Sequence, residues 1–220
     1  MYKNFSKAFT LAEVIITIGI IGIVAAMTIP SLVTKYREKA TVTKVKEMVS
    51  IISQAILMVE PEYGTPETWR LSTNGRSQAD AEKIGEIMKH GLKISSDCGT
   101  VDANGECFTK DSYKYLNGTN RGAFGNEYYK VVLINGSSIA MRLYTKNQVD
   151  FFFDVNGKLP PNVVGKDLFA VNYMSNIGVL ADGAPNSGSR YETQCKLTDR
   201  GWGCAYYILK FGNMDYLHSK

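Results

Sequence analysis

Histidine is scarce in this chain of 220 residues, which contains only His90 and His218. Two histidines far apart in the sequence offer little for acid–base catalysis or for a histidine-ligated metal. The sequence also has no nucleophile motif and no glycine-rich phosphate-binding loop with a lysine. An enzyme is therefore not expected.

Neither sign of charge dominates the composition. The chain has 25 Lys and Arg residues against 21 Asp and Glu residues, and its formal net charge is +4. Proteins that bind nucleic acid usually concentrate a larger basic charge on one face, so no nucleic-acid partner is expected. With 45% apolar and 21% charged residues, the composition is that of an ordinary globular protein. The length suits one globular domain together with an anchor.

One long apolar run, from Phe9 to Pro30, is the dominant feature of the sequence, and Glu13 is its only charged residue. Residues 14–33 contain no ionisable side chain. A helix needs about 20 such residues to cross a hydrocarbon core of about 30 Å. The run therefore predicts a membrane-spanning helix.

An ordinary signal peptide is an alternative interpretation of the same run. Val24-Ala25-Ala26 would be its cleavage site, and a soluble protein that starts at Met27 would be released. Glu13 argues against this alternative, because a secretory signal carries positive charge at the head of its apolar region rather than an acid.

The start of the run resembles the N-terminus of type IV prepilins and type II secretion pseudopilins. Lys3 and Lys7 lie in a short basic leader, and the segment from Phe9 to Glu13 has the family's F-T-L-x-E form. In that family the leader is cut before the Phe and the new amino group is methylated, which implies cleavage between Ala8 and Phe9. The family usually has Gly before the cut. Ala8 is also small, so cleavage is still expected.

The resemblance implies assembly roles for two residues of the helix. A carboxylate within a membrane segment is unfavourable by about 2.5 to 3.5 kcal/mol, so Glu13 is expected to have a partner. The implied partner is the free amine of Phe9, on the same or a neighbouring subunit, and their attraction would set the axial offset between subunits. Pro30 removes one backbone hydrogen bond and is predicted to kink the helix. The matching region loosens in the family's filaments.

The function implied by the resemblance is that of a structural subunit of a type IV pilus or a type II secretion pseudopilus. Its partners would be other pilin or pseudopilin subunits, a prepilin peptidase and methylase, an inner-membrane assembly platform and membrane lipid. The chain would cross the bacterial inner membrane once, with its globular domain outside the cytoplasm, before it joins a periplasmic or surface filament. The alternative is a secreted or membrane-tethered binding domain that does not polymerise.

The expected organisation is a leader at residues 1–8, a membrane segment at 9–33, an amphipathic continuation of the helix at 34–60 and a globular domain at 61–220. In the continuation, apolar residues recur at steps of three and four, which predicts one buried face. They are Val42, Val45, Val49, Ile52, Ile56 and Val59. Packing on the chain's own sheet is favoured over a coiled coil, because fewer than three heptads are present. Pro61, Gly64 and Pro66 are expected to end the helix.

The globular part is predicted to be α+β, with an antiparallel sheet after the long helix. A second helix is expected at Ala79 to Leu92 with Gly91 as its C-cap, followed by a loop region that runs to Asn126. Strand patterns begin at Tyr128, and Asn-Gly between two of them predicts a β-hairpin. The predicted strands are Tyr128 to Ile134, Ser138 to Tyr144, Val149 to Val155 and Ala205 to Phe211.

Four cysteines fall into two pairs of equal spacing, Cys98 with Cys107 and Cys195 with Cys204. An even number and local pairing favour disulfides in an exported domain. A zinc site with four cysteine ligands is an alternative, although its ligands usually lie two to four residues apart. Free or differently paired thiols also remain open.

A loop rich in oxygen-bearing side chains follows the strand that ends near Asp154. Asp154, Asn156 and Asp167 lie close to glycine turns, where calcium finds its preferred ligands, and some pseudopilins bind calcium in a loop after the sheet. The EF-hand pattern is absent. The alternative is that Asp and Asn simply cap turns. No cofactor other than calcium is expected.

Overall fold

The computed structural model describes residues 10–72, 75–187 and 194–219. The chain divides into two compact units, Met1–Ala40 and Thr41–Lys220. Helix α1, Leu11–Tyr63, supplies nearly all described residues of the first unit and the start of the second. In the first unit nearly every described residue of α1 is exposed, and only Ala25 and Glu38 are partly buried.

In the second unit, α1 buries one face. The buried residues are Val42, Val45, Met48, Ile52, Ala55, Ile56 and Val59. They recur at helical spacing, as predicted. The buried face differs from the predicted one in that it includes Met48 and Ala55, while the predicted Val49 is only partly buried. Beyond Tyr63, Gly64 takes a positive φ of 74° and its N–H donates to the carbonyl of Glu60, which ends the helix.

An antiparallel sheet of six strands forms the centre of the second unit, in the order β1-β4-β5-β6-β7-β8. Its strands are β1 Ile94–Gly99, β4 Tyr129–Leu133, β5 Ser138–Thr145, β6 Gln148–Asp154, β7 Leu168–Met174 and β8 Gly178–Ala181. A second sheet pairs β2, Tyr113–Lys114, with β3, Asn120–Gly122. Two further α-helices, α2 Gln78–Met88 and α3 Cys204–Phe211, and two short 3-10 helices, Pro66–Thr68 and Asp215–Leu217, complete the elements. The predicted α+β fold, a long helix on an antiparallel sheet, is confirmed.

Both faces of the six-stranded sheet are covered. Along β6 every residue is buried, and alternate side chains point to opposite faces. Phe151 and Phe153 join the buried face of α1 in what we call the helix-side core. Phe152 packs instead with Phe124 and Trp202 in what we call the far-side core. The far-side core contains no residue of α1, so this face of the sheet is available to loops.

Three strands of the main sheet were not predicted. β1 lies where a loop was expected, because its residues ISSDCG are mostly polar and do not alternate with apolar ones. It is an edge strand that pairs only with β4, and its register shifts twice. β7 and β8 follow the oxygen-rich loop. β7 is a short apolar run, and periodicity alone does not distinguish a buried strand of this kind from a buried helix.

The predicted C-terminal strand is wrong, because residues 204–211 form α3. Aromatic and β-branched residues in this segment favour a strand. The buried residues Cys204, Ala205 and Ile208 are nevertheless spaced as on one face of a helix. Gly212, with a φ of 72°, caps its end.

The predicted hairpin is present, but its turn differs from expectation. β4 and β5 pair through Val132 and Ser138, and only Gly136 in the turn takes a positive φ, of 81°. The Gly136 N–H donates to the Leu133 carbonyl, while the Leu133 N–H donates to the Ser137 carbonyl. This is the pattern of a turn followed by a bulge at glycine, which needs one positive φ rather than two.

Gly91 is not the C-cap of α2, because that helix ends at Met88 with Lys89 as its cap. A Cβ at position 91 would lie 2.4 Å from the carbonyl oxygen of Ala55. Gly91 therefore lets the chain after α2 lie against the backbone of α1.

We predict that Gly91→Ala lowers the free energy of unfolding by about 1 to 3 kcal/mol, because the added methyl overpacks the contact with Ala55. Unfolding of the full chain in detergent, followed by circular dichroism in urea, measures the change. Gly22→Ala is the control, since a Cβ there meets nothing within 4 Å. Equal stabilities of Gly91→Ala and the unaltered chain would contradict the prediction.

Candidate functional site

The start of α1 is closed by reciprocal hydrogen bonds between Thr10 and Glu13. The Thr10 backbone N–H and the Thr10 hydroxyl each donate to Oε2 of Glu13 at 2.8 Å. The Glu13 N–H donates in return to Oγ1 of Thr10 at 3.2 Å. This is a capping box, whose signature is Thr followed three residues later by Glu. The signature is present in the sequence, where Thr10 and Glu13 stand three residues apart.

The proposed processing residues, Ala8 and Phe9, lie outside the described residues. Pro30 lies within α1, which continues on both sides of it. Its own carbonyl accepts a hydrogen bond from the Thr34 hydroxyl at 3.0 Å. A kink at Pro30 stays a prediction.

The part of α1 in the first unit presents apolar side chains with no protein packed against them. An 18-residue window of this helix has a mean hydropathy of 2.3, and none of the window is buried. Leu11, Met27 and Leu32 each expose more than two thirds of their surface. By length and composition this helix can cross a membrane.

The N-terminal segment defines the class of the protein. Residues 3–29 match the prokaryotic N-terminal methylation motif, the cleavage and methylation motif of type IV pilins and pseudopilins. The chain therefore carries the prepilin-type N-terminal motif. Residues 31–179 match a family of unknown function (DUF6613), and because this match covers more than half of the chain, the chain belongs to that family. No curated protein and no solved structure matches the chain.

Two disulfides connect the cysteines in the pairs named above. Cys98, on β1, is bonded to Cys107, and Cys195 is bonded to Cys204 at the start of α3. No free cysteine remains in the part of the chain that the structure describes, which includes all four. The first bond ties a loop to a strand of the main sheet, and the second ties a loop to α3.

The oxygen-rich loop holds two buried carboxylates. Asp154 ends β6 and accepts hydrogen bonds from the Tyr113 hydroxyl at 2.8 Å and from the Asn156 N–H at 3.1 Å. Asp167 accepts from the N–H groups of Asn162 and Val163, each at 2.6 Å. Burial raises the pKa of Asp154 well above its usual value, and the nearby charge of Asp167 raises it further. Burial also raises the pKa of Asp167.

Two amide oxygens of the same loop have no protein partner. Oδ1 of Asn156 and Oδ1 of Asn162 are buried and accept no hydrogen bond from any described residue. Buried polar atoms usually have a partner, and Ca²⁺ is bound by carboxylate, amide and backbone oxygens. Asp154, Asp167 and the two Asn side chains therefore place in one loop the oxygen types that a hard cation binds. Asn162, whose φ is 55°, was not among the residues predicted from the sequence.

We predict that loss of either disulfide lowers the free energy of unfolding by about 2 to 3 kcal/mol, because each closes a short loop in the unfolded chain. The double variants Cys98→Ala/Cys107→Ala and Cys195→Ala/Cys204→Ala are compared with the unaltered chain by urea unfolding. A variant that lacks all four cysteines is the control, and a reductant should leave its stability unchanged. The prediction fails if a reductant leaves the unaltered chain equally stable.

Proposed function

We propose that this prepilin-type protein is a structural subunit of a filament, either a type IV pilus or a type II secretion pseudopilus. It is held in the inner membrane by α1 after cleavage between Ala8 and Phe9, and it then joins other subunits through the same helix. The globular unit lies outside the cytoplasm. The proposed role of the protein is filament assembly rather than catalysis.

The observation that carries this proposal is the unpacked apolar surface of α1 in the first unit. Apolar surface left in water is unfavourable by roughly 25 cal/mol for each Å², so these side chains need a non-aqueous environment. Lipid provides that environment before assembly. Neighbouring helices provide it afterwards, since apolar helices in a filament core pack by van der Waals contact as they do in membranes.

Glu13 is the residue proposed to set the position of one subunit along another. Its carboxylate accepts two hydrogen bonds from Thr10. A carboxylate offers about four acceptor positions, so the cap leaves capacity for the methylated amine of Phe9 on the same or a neighbouring subunit. Attraction between opposite charges is strong in an apolar surrounding. The cap and the ion pair are therefore compatible roles of one side chain.

We predict that Glu13→Gln and Glu13→Val both insert and are processed but do not enter filaments. Gln retains the capping box without the charge, whereas Val loses both. Thr10→Ala is the matched variant that weakens the cap and keeps the charge, and it should still assemble. Filament content is measured by immunoblot of sheared surface fractions and of secretion-system filaments.

Mass spectrometry of the N-terminus provides the processing control for this experiment, and mature chains should start at N-methylated Phe9. If Glu13→Gln assembles normally while Thr10→Ala does not, capping rather than charge is the role of Glu13. A mature chain that starts at Met27 would contradict the proposed class of function.

We also propose that the loop after β6 binds a divalent cation, with calcium as the expected ion. Asp154, Asp167, Asn156 and Asn162 would hold it through side-chain oxygens. The bound charge would offset the mutual repulsion of the two buried carboxylates and supply a partner for the two amide oxygens. Its contribution would be to hold the loop rather than to take part in a reaction.

We predict that calcium at about 100 times its dissociation constant raises the melting temperature by several degrees relative to chelator, because it binds only the folded loop. Asn162→Gly should abolish the shift, since Gly keeps the left-handed backbone and removes the oxygen. Asn186→Gly is the matched control at another left-handed position, with a φ of 64°. Equal melting temperatures with calcium and with chelator would exclude the metal.

A further inference from the structure

A polar cavity of about 380 Å³ opens on the sheet face that carries the far-side core. This volume lies in the range of sites for small molecules. The lining combines arginines, aromatic rings, carboxylates and amides, and all of it belongs to the second unit. The residues are Arg76, Tyr115, Arg121, Ala123, Glu127, Tyr128, Arg142, Tyr144, Gln148, Asp150, Phe152, Asn172, Asp182, Arg200 and Trp202.

Arg121, on β3, lies among aromatic rings without an acidic partner in the described residues. Its guanidinium carbon is 3.8 Å from the centre of the Phe124 ring and 5.8 Å from that of Trp202. Its one hydrogen bond goes from Nη1 to the Gly122 carbonyl at 3.3 Å. A guanidinium carries five N–H donors, so most of them remain free for a ligand. Burial lowers the pKa of Arg121, which indicates that its charge is poorly compensated.

The positive charge of Arg142 is compensated by Asp150. Its Nε and Nη2 donate to Oδ2 of Asp150 at 3.2 and 3.1 Å, and its Nη1 donates to the Tyr128 hydroxyl at 2.8 Å. Arg76 and Arg200 are exposed at the cavity and form no ion pair with the described residues. The unpaired positive charge is therefore on Arg76, Arg121 and Arg200.

The charge balance of the lining limits the charge of a ligand. Among the lining residues that the structure describes, four arginines face three carboxylates, those of Glu127, Asp150 and Asp182, which leaves one net positive charge. A singly charged carboxylate matches this balance better than a phosphate group with nearly two negative charges. The planar guanidinium fork also fits a carboxylate with two parallel hydrogen bonds.

The rest of the lining points to a hydroxylated ring. Sites for apolar ligands are lined mainly by apolar side chains, whereas here the amides of Gln148 and Asn172 accompany the charged groups. The Gln148 amide nitrogen donates to Asp150, and the Asn172 amide nitrogen donates to Asp182 and to the Ser187 carbonyl. Their amide oxygens are therefore the atoms that suit hydroxyl donors. Tyr115 packs edge to face against the buried Trp202 ring, with centroids 6.0 Å apart and ring planes at 79°. The partly exposed Tyr115 ring therefore brings apolar surface to the cavity.

We propose that this cavity binds an acidic sugar, with Arg121 and Arg200 holding its carboxylate and the aromatic rings contacting its ring. This role goes beyond filament assembly and does not depend on it. The globular unit of such a subunit would recognise acidic polysaccharide on a surface.

Isothermal titration calorimetry of the full chain in detergent micelles, with galacturonate as the ligand, tests the proposal. Galacturonate should bind, whereas galactose, which lacks the carboxylate, should bind at least about tenfold more weakly, because a hydrogen-bonded charge contributes about that factor. Equal binding of galactose or no binding of galacturonate would overturn the proposal. Stronger binding of inorganic phosphate or of a short peptide through its terminal carboxylate would overturn the assignment to an acidic sugar.

Variants locate the binding within the cavity. Arg200→Gln, at an exposed position that leaves the core intact, should weaken galacturonate binding by about tenfold. Arg121→Lys keeps the charge but loses the planar fork, and it should weaken binding as well. Arg70→Gln is the matched control, since Arg70 is exposed and does not line the cavity. Unchanged affinity in Arg200→Gln and Arg121→Lys would place the ligand elsewhere and refute the assignment.

Discussion

Burial of one face of α1 against the antiparallel sheet is the interaction on which the globular unit depends. Met48, Ile52 and Ala55 are fully buried there, with aromatic side chains of β6 and β7 in the same core. Because the helix covers one face of the sheet, only the other face is left for loops and their chemistry. At Gly91 the backbone after α2 packs closely against the backbone of α1.

The opposite face is built largely from loops, which are held by a disulfide and by aromatic packing. The Cys98–Cys107 disulfide fixes the segment around Cys107, while the aromatic rings of Phe124, Phe152 and Trp202 pack in the far-side core. Polar groups are gathered on this face, in the cavity and in the loop after β6. A face assembled this way can differ between relatives without disturbing the helix and sheet.

The helix, the hairpin and the α+β class were predictable because their patterns are periodic or carry strong turn residues. β1 was not, because an edge strand such as Ile94–Gly99 gains its order from pairing rather than from an apolar pattern. The segment of α3 has strand-forming residues, but burial of Cys204, Ala205 and Ile208 on one helical face overrides that preference.

The candidate sites were predictable to different degrees. The sequence indicates Glu13, Asp154 and Asp167 as unusual acids, but it does not indicate that Asn162 has a buried amide oxygen without a partner. The arginine cavity draws residues from many separate segments, from Arg76 to Trp202. No local sequence motif predicts a site of that kind, because only tertiary packing brings its lining residues together.

The capping box at Thr10 and Glu13 has a further consequence. Both of its members lie on the C-terminal side of the proposed cleavage point between Ala8 and Phe9, so under that proposal the signal that starts the helix stays in the processed chain. The proposed processing would replace a leader by a charged terminus without altering the first turn. The same helix end would then serve both the proposed precursor in lipid and the proposed filament subunit.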